Sequence, residues 1–371
     1  MRIAHLADLH LGFHAYNRLN NKGINQREAD VFNAFREALT KIKDLQVELV
    51  LMAGDIFHVP RPSNLTIIQT FRELDKFQQD SSTEIVMIAG NHDAVRSSDN
   101  RCILELFKSL PRTHVASHTF TAIPLTEHNI LVSCLPHNAL LNLDEFAIQP
   151  NPDYAYNILM LHGTVDSDRV NDYGGHDVPR SLLMKKWDYI ACGHYHSFTD
   201  LGNNAFYAGA IERTSNNIWA EANEAKGFIE VDLTTAKVTF HQLNSPRPTI
   251  DLPVINAAHL TPDQISQAIQ EHAASVDITD KLVRQKIINF PRIYKTQLNH
   301  HYIRQLQTQA THYFLDLRSP VVVTATQSNS KSNSGLEQDI QTFLENYHLP
   351  AGIKREEFVK CGISYIQKHS Y

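Results

Sequence analysis

The stretch LVLMAGDIFH, residues 49–58, decides the fold class of this chain. An unbroken apolar run ends at Gly54, and a carboxylate, Asp55, and an imidazole, His58, follow it closely. Such a run is typical of a strand that is buried on both faces, as in the parallel sheet of an α/β protein. In open sheets of this kind, ligands collect at the carboxyl ends of the strands. The stretch therefore predicts a buried strand that brings polar side chains to one edge of a sheet.

The same arrangement recurs elsewhere in the chain. Apolar runs at residues 3–7, 85–89, 158–161 and 189–192 also end in potential metal ligands. Together with residues 49–53, these runs deliver Asp8, His10, Asp55, Asn91, His162, His194 and His196. We predict that these side chains meet in one metal site. The alternative, that polar residues simply terminate strands or form turns, would have to account for all of these endings at once.

The donor set indicates which metal and which chemistry to expect. It contains oxygen and nitrogen donors but no thiolate, which favours manganese or iron over a structural zinc ion. Two divalent cations would outweigh the two aspartates and leave positive charge that suits a phosphodiester. Paired ions of this kind clamp the attacking and leaving oxygens of a phosphoryl group. The sequence therefore predicts two divalent metal ions, most simply Mn²⁺, and phosphoester hydrolysis.

Composition limits the remaining function classes. The chain has 371 residues, a hydrophobic fraction of 42% and a net charge of −6, so any nucleic-acid surface must be local. No apolar run approaches the roughly 20 residues of a membrane span, and Asp8 and His10 interrupt the N-terminal apolar stretch. The four cysteines are isolated in sequence. We therefore expect a cytoplasmic, nucleoid-associated protein with reduced thiols and no membrane contact.

Strand and helix patterns predict an α/β fold with three regions. Residues 1–243 alternate helices, at 25–45, 63–77 and 100–110, with strands, which suggests a four-layer α/β/β/α sandwich of two facing sheets. Residues 244–253 contain three prolines and predict a linker. Residues 244–326 then predict a small α+β capping domain, with helices at 261–274 and 299–314 and strands at 281–290 and 320–325. A Ser/Asn-rich segment, 327–335, precedes a helical tail at 336–371.

In this order, the motifs resemble those of the calcineurin-like metallophosphoesterase superfamily. The resemblance implies one metal ion on Asp8, His10 and His196, a second on Asn91, His162 and His194, and Asp55 as the bridge between them. It also implies that His92 lies off the metals, stabilises charge on the phosphate and protonates the leaving oxygen. Asp93 either orients that imidazole or caps a helix.

A narrower resemblance comes from residues 8–12, 26–28 and 54–63, which are DLHLG, QRE and GDIFHVPRPS. These stretches are similar to the nuclease subunit of double-strand-break repair complexes, the SbcD type in bacteria and its archaeal and eukaryotic relatives. In that family the histidine matching His58 positions the DNA end and supports exonuclease action; the alternative is a surface histidine at a strand end. The insert at 166–179 departs from the pattern and has no assigned role.

DNA contact is predicted from two local basic segments. Residues 281–318 hold seven Lys/Arg against one acid, Asp316, which suits phosphate binding. The alternative is that these charges lie on a solvent-exposed helix face and strand edge, which would give the same sequence pattern. The capping domain of the family lies near the active site. The candidate DNA-contacting residues are Arg284, Lys286, Arg292 and Lys295 in this stripe, Arg18 and Lys22 after the first motif, and Arg61 within the second.

The resemblance also implies protein partners. The helical tail would dock an SbcC-type ATPase with a long coiled coil, although packing back onto this chain is an alternative for its apolar positions. The helices predicted at 63–77 and 100–110 would form a homodimer as a four-helix bundle, with Leu65, Ile68, Ile103, Leu104 and Phe107 buried there, unless they serve the core of one chain.

These expectations converge on a manganese-dependent DNA nuclease with 3′-to-5′ exonuclease and single-strand endonuclease activity in DNA end processing. Two alternatives belong to other classes. One is a metallophosphoesterase acting on a small nucleotide or a phosphoprotein, since a fold does not fix the substrate. The other is a non-enzymatic scaffold, which would be expected to have lost metal ligands.

Overall fold

The structure is a computed structural model that describes residues 1–94, 101–165, 177–245, 247–320, 343–345, 347 and 354–369. Its strands are, in chain order, β1 (Arg2–Leu6), β2 (Leu49–Ala53), β3 (Glu84–Ile88), β4 (Thr113–Ala116), β5 (Thr121–Leu125), β6 (Ile130–Leu135), β7 (Tyr156–His162), β8 (Thr164–Val165), β9 (Asp177–Val178), β10 (Tyr189–Gly193), β11 (Thr199–Gly202), β12 (Ala205–Tyr207), β13 (Gly227–Asp232), β14 (Lys237–Gln242), β15 (Thr249–Asn256), β16 (Leu282–Ile288) and β17 (His312–Leu317). The chain divides into two units, Met1–Pro320 and Val321–Tyr371.

Two six-stranded sheets form the centre of the first unit. Their strand orders are β14-β13-β1-β2-β3-β4 and β11-β12-β10-β7-β6-β5. Strands β1 to β4 run parallel to one another, and so do β6, β7, β10 and β12. The strands predicted to end in metal ligands, β1, β2, β3, β7 and β10, occupy central positions in these sheets. Their carboxyl ends therefore meet at one edge, as the sequence predicted.

Alternating side chains explain why the two sheets face each other. Within β2, Val50 and Met52 join an apolar core with the helices, whereas Leu49, Leu51 and Ala53 join the core between the sheets. Successive side chains of a strand point to opposite faces, so an unbroken apolar strand needs cover on both sides. The predicted α/β/β/α sandwich is confirmed.

Helices cover the outer faces of the sheets in the first unit. They are α1 (Gln26–Leu45), α2 (Asn64–Asp80), α3 (Arg180–Leu183), α4 (Pro262–Ala274) and α5 (His300–Gln309), with 3-10 helices at Ile103–Ser109, Thr126–His128, His137–Glu145 and Arg292–Gln297. One further helix, α6 (Arg355–His369), belongs to the second unit. The side chains of Asn25 and Ser63 accept hydrogen bonds from the first turns of α1 and α2. The helix predicted at 100–110 is the 3-10 helix Ile103–Ser109, which is too short for a bundle helix.

A third sheet, β15-β16-β17, packs α4 and α5 on one face. The predicted linker at 244–253 was wrong at its C-terminal end, because β15 begins at Thr249 and accommodates Pro253 where its register with β16 shifts. The predicted helix at 299–314 was also wrong beyond Gln309. Residues His312–Leu317 form β17, which packs Tyr313, Leu315 and Leu317 into the apolar core of the third sheet. The strand predicted at 320–325 lies outside the described residues except for Pro320.

In the second unit, α6 is described together with a few residues before it. Arg355 donates hydrogen bonds to the carbonyls of Glu345 and Tyr347, and the ring of Tyr347 stacks on Phe358 at 5.9 Å. The segment 327–335, Ile340 and residues 166–176 of the insert lie outside the described residues. Within the part of the chain that is described, no helix combines the length and apolar character needed to cross a bilayer.

Candidate metal centre

The segments that follow β1 and β2 are joined by backbone hydrogen bonds. The amides of Asp8, His10 and Leu11 donate to the carbonyls of Gly54, Asp55 and Ile56 at 3.1, 2.9 and 2.9 Å. Asp8, His10 and Asp55 have φ angles of 52°, 46° and 50°, in the left-handed region that aspartate and histidine tolerate better than most residues. This backbone turns all three side chains toward the same edge of the first sheet.

Asp8, His10 and His196 form the first group of donors, and their ligand atoms lie within 4.8 Å of one another. The Nε2 atoms of His10 and His196 are 3.0 Å apart. Two neutral imidazoles can share only one hydrogen across such a contact, so the pair readily accepts a cation. Burial holds the pKa of His10 well below its usual range and lowers that of His196 to about 3, so both rings stay neutral near pH 7.

Asn91, His162 and His194 form the second group. The Asn91 Oδ1 atom lies 3.1 Å from His162 Nε2 and 3.0 Å from His194 Nδ1. His162 donates its Nδ1 hydrogen to the carbonyl of Ala53 at 2.8 Å, which leaves Nε2 directed at the group. Among the described residues, the buried Nε2 atom of His194 has no hydrogen-bond partner.

Asp55 lies between the two groups. Its Oδ2 atom is 3.7 Å from His10 Nε2 and 3.4 Å from His162 Nε2. Burial alone would raise the pKa of this carboxyl, but His162 and then His10 lower it well below its usual range. A carboxylate held ionised between two clusters of nitrogen donors is suited to bridge two cations.

Two glycines allow the side chains of His162 and Asp55 to lie directly against the backbone. Gly54 has a φ of +87°, and a Cβ atom there would clash with the ring of His162. A Cβ atom at Gly90 would clash with the carboxylate of Asp55. The donors are thus packed against backbone that no other residue could occupy without displacing them.

The donor set fits two divalent ions. Asp8, His10 and His196 would hold one, Asn91, His162 and His194 the other, with Asp55 shared. Two observations favour this fit: the Nε2 atoms of His10 and His196 face each other at 3.0 Å, and the buried Nε2 atom of His194 has no hydrogen-bond partner among the described residues. Carboxylates, imidazoles and an amide oxygen without thiolate suit manganese, iron or zinc.

His58 and His92 form a stacked pair beside the first group. Their ring centroids are 5.2 Å apart and their planes differ by 24°. His92 donates its Nδ1 hydrogen to the backbone carbonyl of His58 at 2.7 Å, and the Nδ1 atom of His58 is 3.3 Å from that of His10. Both rings are partly exposed. Each therefore has a ring nitrogen on the metal side and a surface accessible to a substrate.

The predicted roles of Asp93 need correction. Its buried carboxylate accepts hydrogen bonds from the amides of Ile56, Phe57 and Gly90, at 3.0, 2.8 and 3.0 Å. It does not orient the imidazole of His92, which is held by the His58 carbonyl, and it caps no helix among the described residues. Asp93 instead ties the segment after β2 to the segment after β3.

Two residues behind His196 were missed by the sequence analysis. Glu221 Oε1 is 3.9 Å from His196 Nδ1, and Lys226 donates to the His196 carbonyl at 2.8 Å. Both side chains are buried, and they form a salt bridge with each other at 2.5 Å. They lie in the segment before β13, which carries no recognisable motif, so no signal in the sequence pointed to them.

The basic stripe is partly neutralised. Arg284 forms a salt bridge with Asp251, and Lys281 forms one with Asp277, both acids lying outside the residues over which the charge was counted. Arg284 and Lys286 share one face of β16, whereas Arg292 and Lys295 are exposed on the 3-10 helix Arg292–Gln297. None of these four is among the metal donors described above.

The three other DNA candidates lie on two further segments. Arg18 and Lys22 line a cavity of about 520 Å³ beside α1, and Arg18 donates to the carbonyl of Thr308 at 3.1 Å. Arg61 is exposed just before α2. The hydrogen bond from Arg18 to Thr308 brings the segment of Arg18 next to α5 of the capping region.

The sequence model of the calcineurin-like phosphoesterase family matches residues 1–198, the part of the chain that carries this donor set. The chain belongs to this family. Its phosphoesterase fold implies a dimetal centre, for which the two donor groups are the candidates. The resemblance to the calcineurin-like superfamily is confirmed.

Several curated proteins are similar to this phosphoesterase. DNA double-strand break repair protein Mre11 of Methanococcus maripaludis is 36% identical over 62 residues, 17% of this chain and 15% of that protein. The protein of the same name from Thermoplasma acidophilum is 26% identical over 257 residues, 66% of each chain. That of Methanopyrus kandleri is 26% identical over 214 residues, 53% of this chain and 44% of the relative. The chain spans less than two thirds of the length of these curated relatives.

Solved structures show a weaker likeness. A dimetal phosphatase from Danio rerio is 13% identical, with 62% of this chain and 91% of that chain covered and a TM-score of 0.35. A nuclease, MPE, from Pseudomonas putida is 15% identical, with 47% and 77% covered and a TM-score of 0.22.

Proposed function

We propose that this chain is a manganese-dependent DNA nuclease that hydrolyses phosphodiester bonds at DNA ends. The observation that carries the proposal is the His58–His92 pair, which lies against His10 at the first donor group although holding the metals does not require it. Curated relatives named for DNA double-strand break repair support DNA as the substrate. The activities we propose are 3′-to-5′ exonuclease and single-strand endonuclease cleavage.

The residues of the centre would have different roles in hydrolysis. Asp8, Asp55 and the histidine and asparagine donors hold the two ions, which, when bound, polarise the phosphoryl group and supply a nucleophile at neutral pH. Asp55 also accepts a hydrogen bond from the amide of His92 at 2.8 Å, and this bond fixes the position of the His92 backbone relative to the bridging carboxylate.

His92 would transfer the proton to the leaving group. Its Nδ1 hydrogen is engaged by the His58 carbonyl, which can only accept, so the opposite nitrogen, Nε2, is the one left to act on a substrate. A proton on Nε2 could be donated to the departing sugar oxygen. His58 would position the DNA end, since its ring stacks on His92 and contacts Phe13 at 4.9 Å.

The proposal extends to DNA contacts and partners. The capping region at 244–326, with Arg284, Lys286, Arg292 and Lys295, together with Arg18, Lys22 and Arg61, would contact DNA phosphates. The tail at 336–371 would dock a coiled-coil ATPase of the SbcC type, consistent with the exposure of Phe343. A homodimer would use the exposed Leu65 and Ile68 of α2, whereas Leu104 and Phe107 belong to the core of this chain.

The deciding experiment is cleavage of end-labelled duplex and single-stranded DNA with Mn²⁺, beside an Asp8→Ala variant. Asp8 is buried and accepts a hydrogen bond from the amide of His194, so the variant removes a donor from the first group. Manganese-dependent cleavage that is lost in the variant supports the nuclease, and the product ladder gives its polarity. Absence of cleavage while two manganese ions are bound would favour a small-molecule phosphoesterase instead.

A further inference from the structure

Four aromatic rings lie in a row where the third sheet meets the segments around the metal centre. The ring of Tyr16 stacks on His312 with centroids 3.8 Å apart and planes 14° apart. His312 and Phe314 follow at 6.1 Å and 15°, and Phe314 and Trp219 at 6.2 Å and 19°. We call Tyr16, His312, Phe314 and Trp219 the aromatic row. Its members come from three separate segments, so nearly parallel rings are not a consequence of local sequence.

Core packing does not account for the row. In β17, Tyr313 points into the apolar core of the third sheet, and His312 and Phe314 point to the opposite face. The Phe314 side chain is 39% exposed, and Trp219 is partly exposed. Large aromatic rings left on a surface are more typical of binding sites than of cores.

Basic side chains flank the row. The guanidinium of Arg284, on the strand next to Phe314, lies 5.2 Å from the ring centroid of Trp219. Lys286 shares its face of β16, and Arg18 follows Tyr16 at the other end. The acids on this face are Asp251, paired with Arg284, and the buried Asp316, paired with Arg318. Aromatic faces with cations beside them suit a single nucleic-acid strand.

The row also adjoins the metal centre. Trp219 is two residues before Glu221, whose Oε1 atom is 3.9 Å from the Nδ1 atom of His196. Tyr16 is six residues after His10, in the segment that leaves the same donor group. A strand lying on the row would therefore approach the centre from the side of His10 and His196.

We propose that the aromatic row is a stacking platform for unpaired bases of the DNA strand whose phosphate enters the metal centre. The proposal rests on the proposed nuclease function and adds the form of the substrate, a single-stranded end. Every base has a π-face, so stacking tolerates any sequence, and Arg284, Lys286 and Arg18 would contact phosphates. Bases inside a duplex already stack on one another and cannot occupy the row.

The test measures binding to the full chain, freed of metal with a chelator so that nothing is cleaved. A labelled oligothymidylate of about 15 nucleotides and an abasic strand of the same length are compared by fluorescence anisotropy. The wild type should bind the thymidylate roughly tenfold more tightly than the abasic strand. Trp187 is buried and the chain has two tryptophans, so quenching of tryptophan emission by the thymidylate would report on Trp219.

Trp219→Leu and Phe314→Leu should each weaken thymidylate binding by roughly tenfold and leave abasic binding unchanged. Phe120→Leu is the matched control, because Phe120 is partly buried, its ring packs against Phe146 at 5.6 Å, and the apolar cluster that it joins contains no member of the row. Thermal unfolding verifies that the variants are folded, and the wild-type comparison does not depend on any variant.

Equal affinity of the wild type for thymidylate and abasic strands would overturn the platform, as would blunt duplex competing as well as single strand. Cleavage with Mn²⁺ is measured separately. Normal cleavage without base preference would reject the platform alone, whereas base preference without cleavage would support the platform and reject the nuclease.

Discussion

The Nδ1 atom of His92 donates a hydrogen bond to the backbone carbonyl of His58 at 2.7 Å. The anchor is main chain, so the orientation of the His92 imidazole does not depend on which side chain occupies position 58. The two rings nevertheless stack, and His58 reaches His10 through its Nδ1 atom at 3.3 Å. A substitution of His58 should therefore change the placement of the DNA end without changing proton transfer by His92.

We expect His92→Ala to bind metal almost normally and to lose cleavage by roughly 10²- to 10⁴-fold, the usual contribution of a general acid. Metal analysis and single-turnover cleavage measure the two quantities. His58→Ala is the comparison variant, and it should retain His92-dependent proton transfer on single-stranded substrate while losing exonuclease action on ends. Substantial cleavage by His92→Ala would show that the leaving oxygen takes its proton from another group.

Asp55→Ala should abolish binding of both ions, because this carboxylate lies within 4 Å of nitrogen donors in each group. Metal content after dialysis against Mn²⁺ measures the loss, and the exposed Asp144→Ala provides a control of the same chemistry. One ion retained at full occupancy would restrict Asp55 to a single site, and two would refute the bridge.

Metal affinity should increase with pH between about 7 and 9. Burial would lower the pKa of His162, but Asp55 and Asp8 raise it to about 9 in the metal-free protein. Because the imidazole binds metal only when neutral, a proton must leave as the metal enters. Each pH unit below 9 should therefore weaken binding by about tenfold. Calorimetry in two buffers of different ionisation enthalpy counts the released proton, and a constant affinity from pH 7 to 8.5 would contradict the prediction.

Whether a residue of this site could be predicted from the sequence depends on where in the chain it lies. That the seven candidate metal donors lie close together was predictable, because they follow buried strands and parallel strands bring their carboxyl ends together whatever lies between them. Asp93 was assigned wrongly because its partners, the amides of Ile56 and Phe57, are close only after β2 and β3 pair. Glu221 had no signal, since a carboxylate in an irregular segment shows its use only in three dimensions.

The last strand of the third sheet, β17, was predicted as part of a helix for a related reason. Residues 310–314 continue a helical apolar pattern from α5, so periodicity favoured a longer helix. Pairing of β17 with β16 instead packs Tyr313, Leu315 and Leu317 into the core of the third sheet, and that tertiary gain outweighs the local preference. The aromatic row depends on this strand, because only a strand places His312 and Phe314 on one face.

Asp93→Ala should lower the free energy of unfolding by about 3 kcal/mol or more, because it leaves the buried amides of Ile56, Phe57 and Gly90 unpaired. Asp93→Asn should cost less, since an amide oxygen in place of Oδ2 keeps the bonds from Ile56 and Gly90. Urea unfolding of the metal-free chain measures both, with Asp144→Ala again as the exposed control. A loss under about 1 kcal/mol for Asp93→Ala would mean that other groups or water satisfy these amides.

Glu221→Gln should weaken metal binding at the first donor group by about 10- to 100-fold, the range typical of groups that orient a metal ligand. The carboxylate lies behind His196 Nδ1 at 3.9 Å and neutralises the buried Lys226, which also holds the His196 carbonyl. Glutamine preserves the shape but removes the charge, so the buried Lys226 loses its nearest carboxylate and keeps only Glu224, at 3.7 Å.

Glu224→Gln is the matched control for that variant. Glu224 is 3.7 Å from Lys226 and its side chain is 40% exposed, so the change alters the same lysine without reaching the ring of His196. Titration of the metal-free proteins with Mn²⁺, following the free ion by electron paramagnetic resonance, gives the affinities. If both variants lose affinity equally, the charge of Lys226 governs the site, and if only Glu221→Gln does, contact with the imidazole is the cause. Unchanged affinity in Glu221→Gln would show that the backbone alone positions His196.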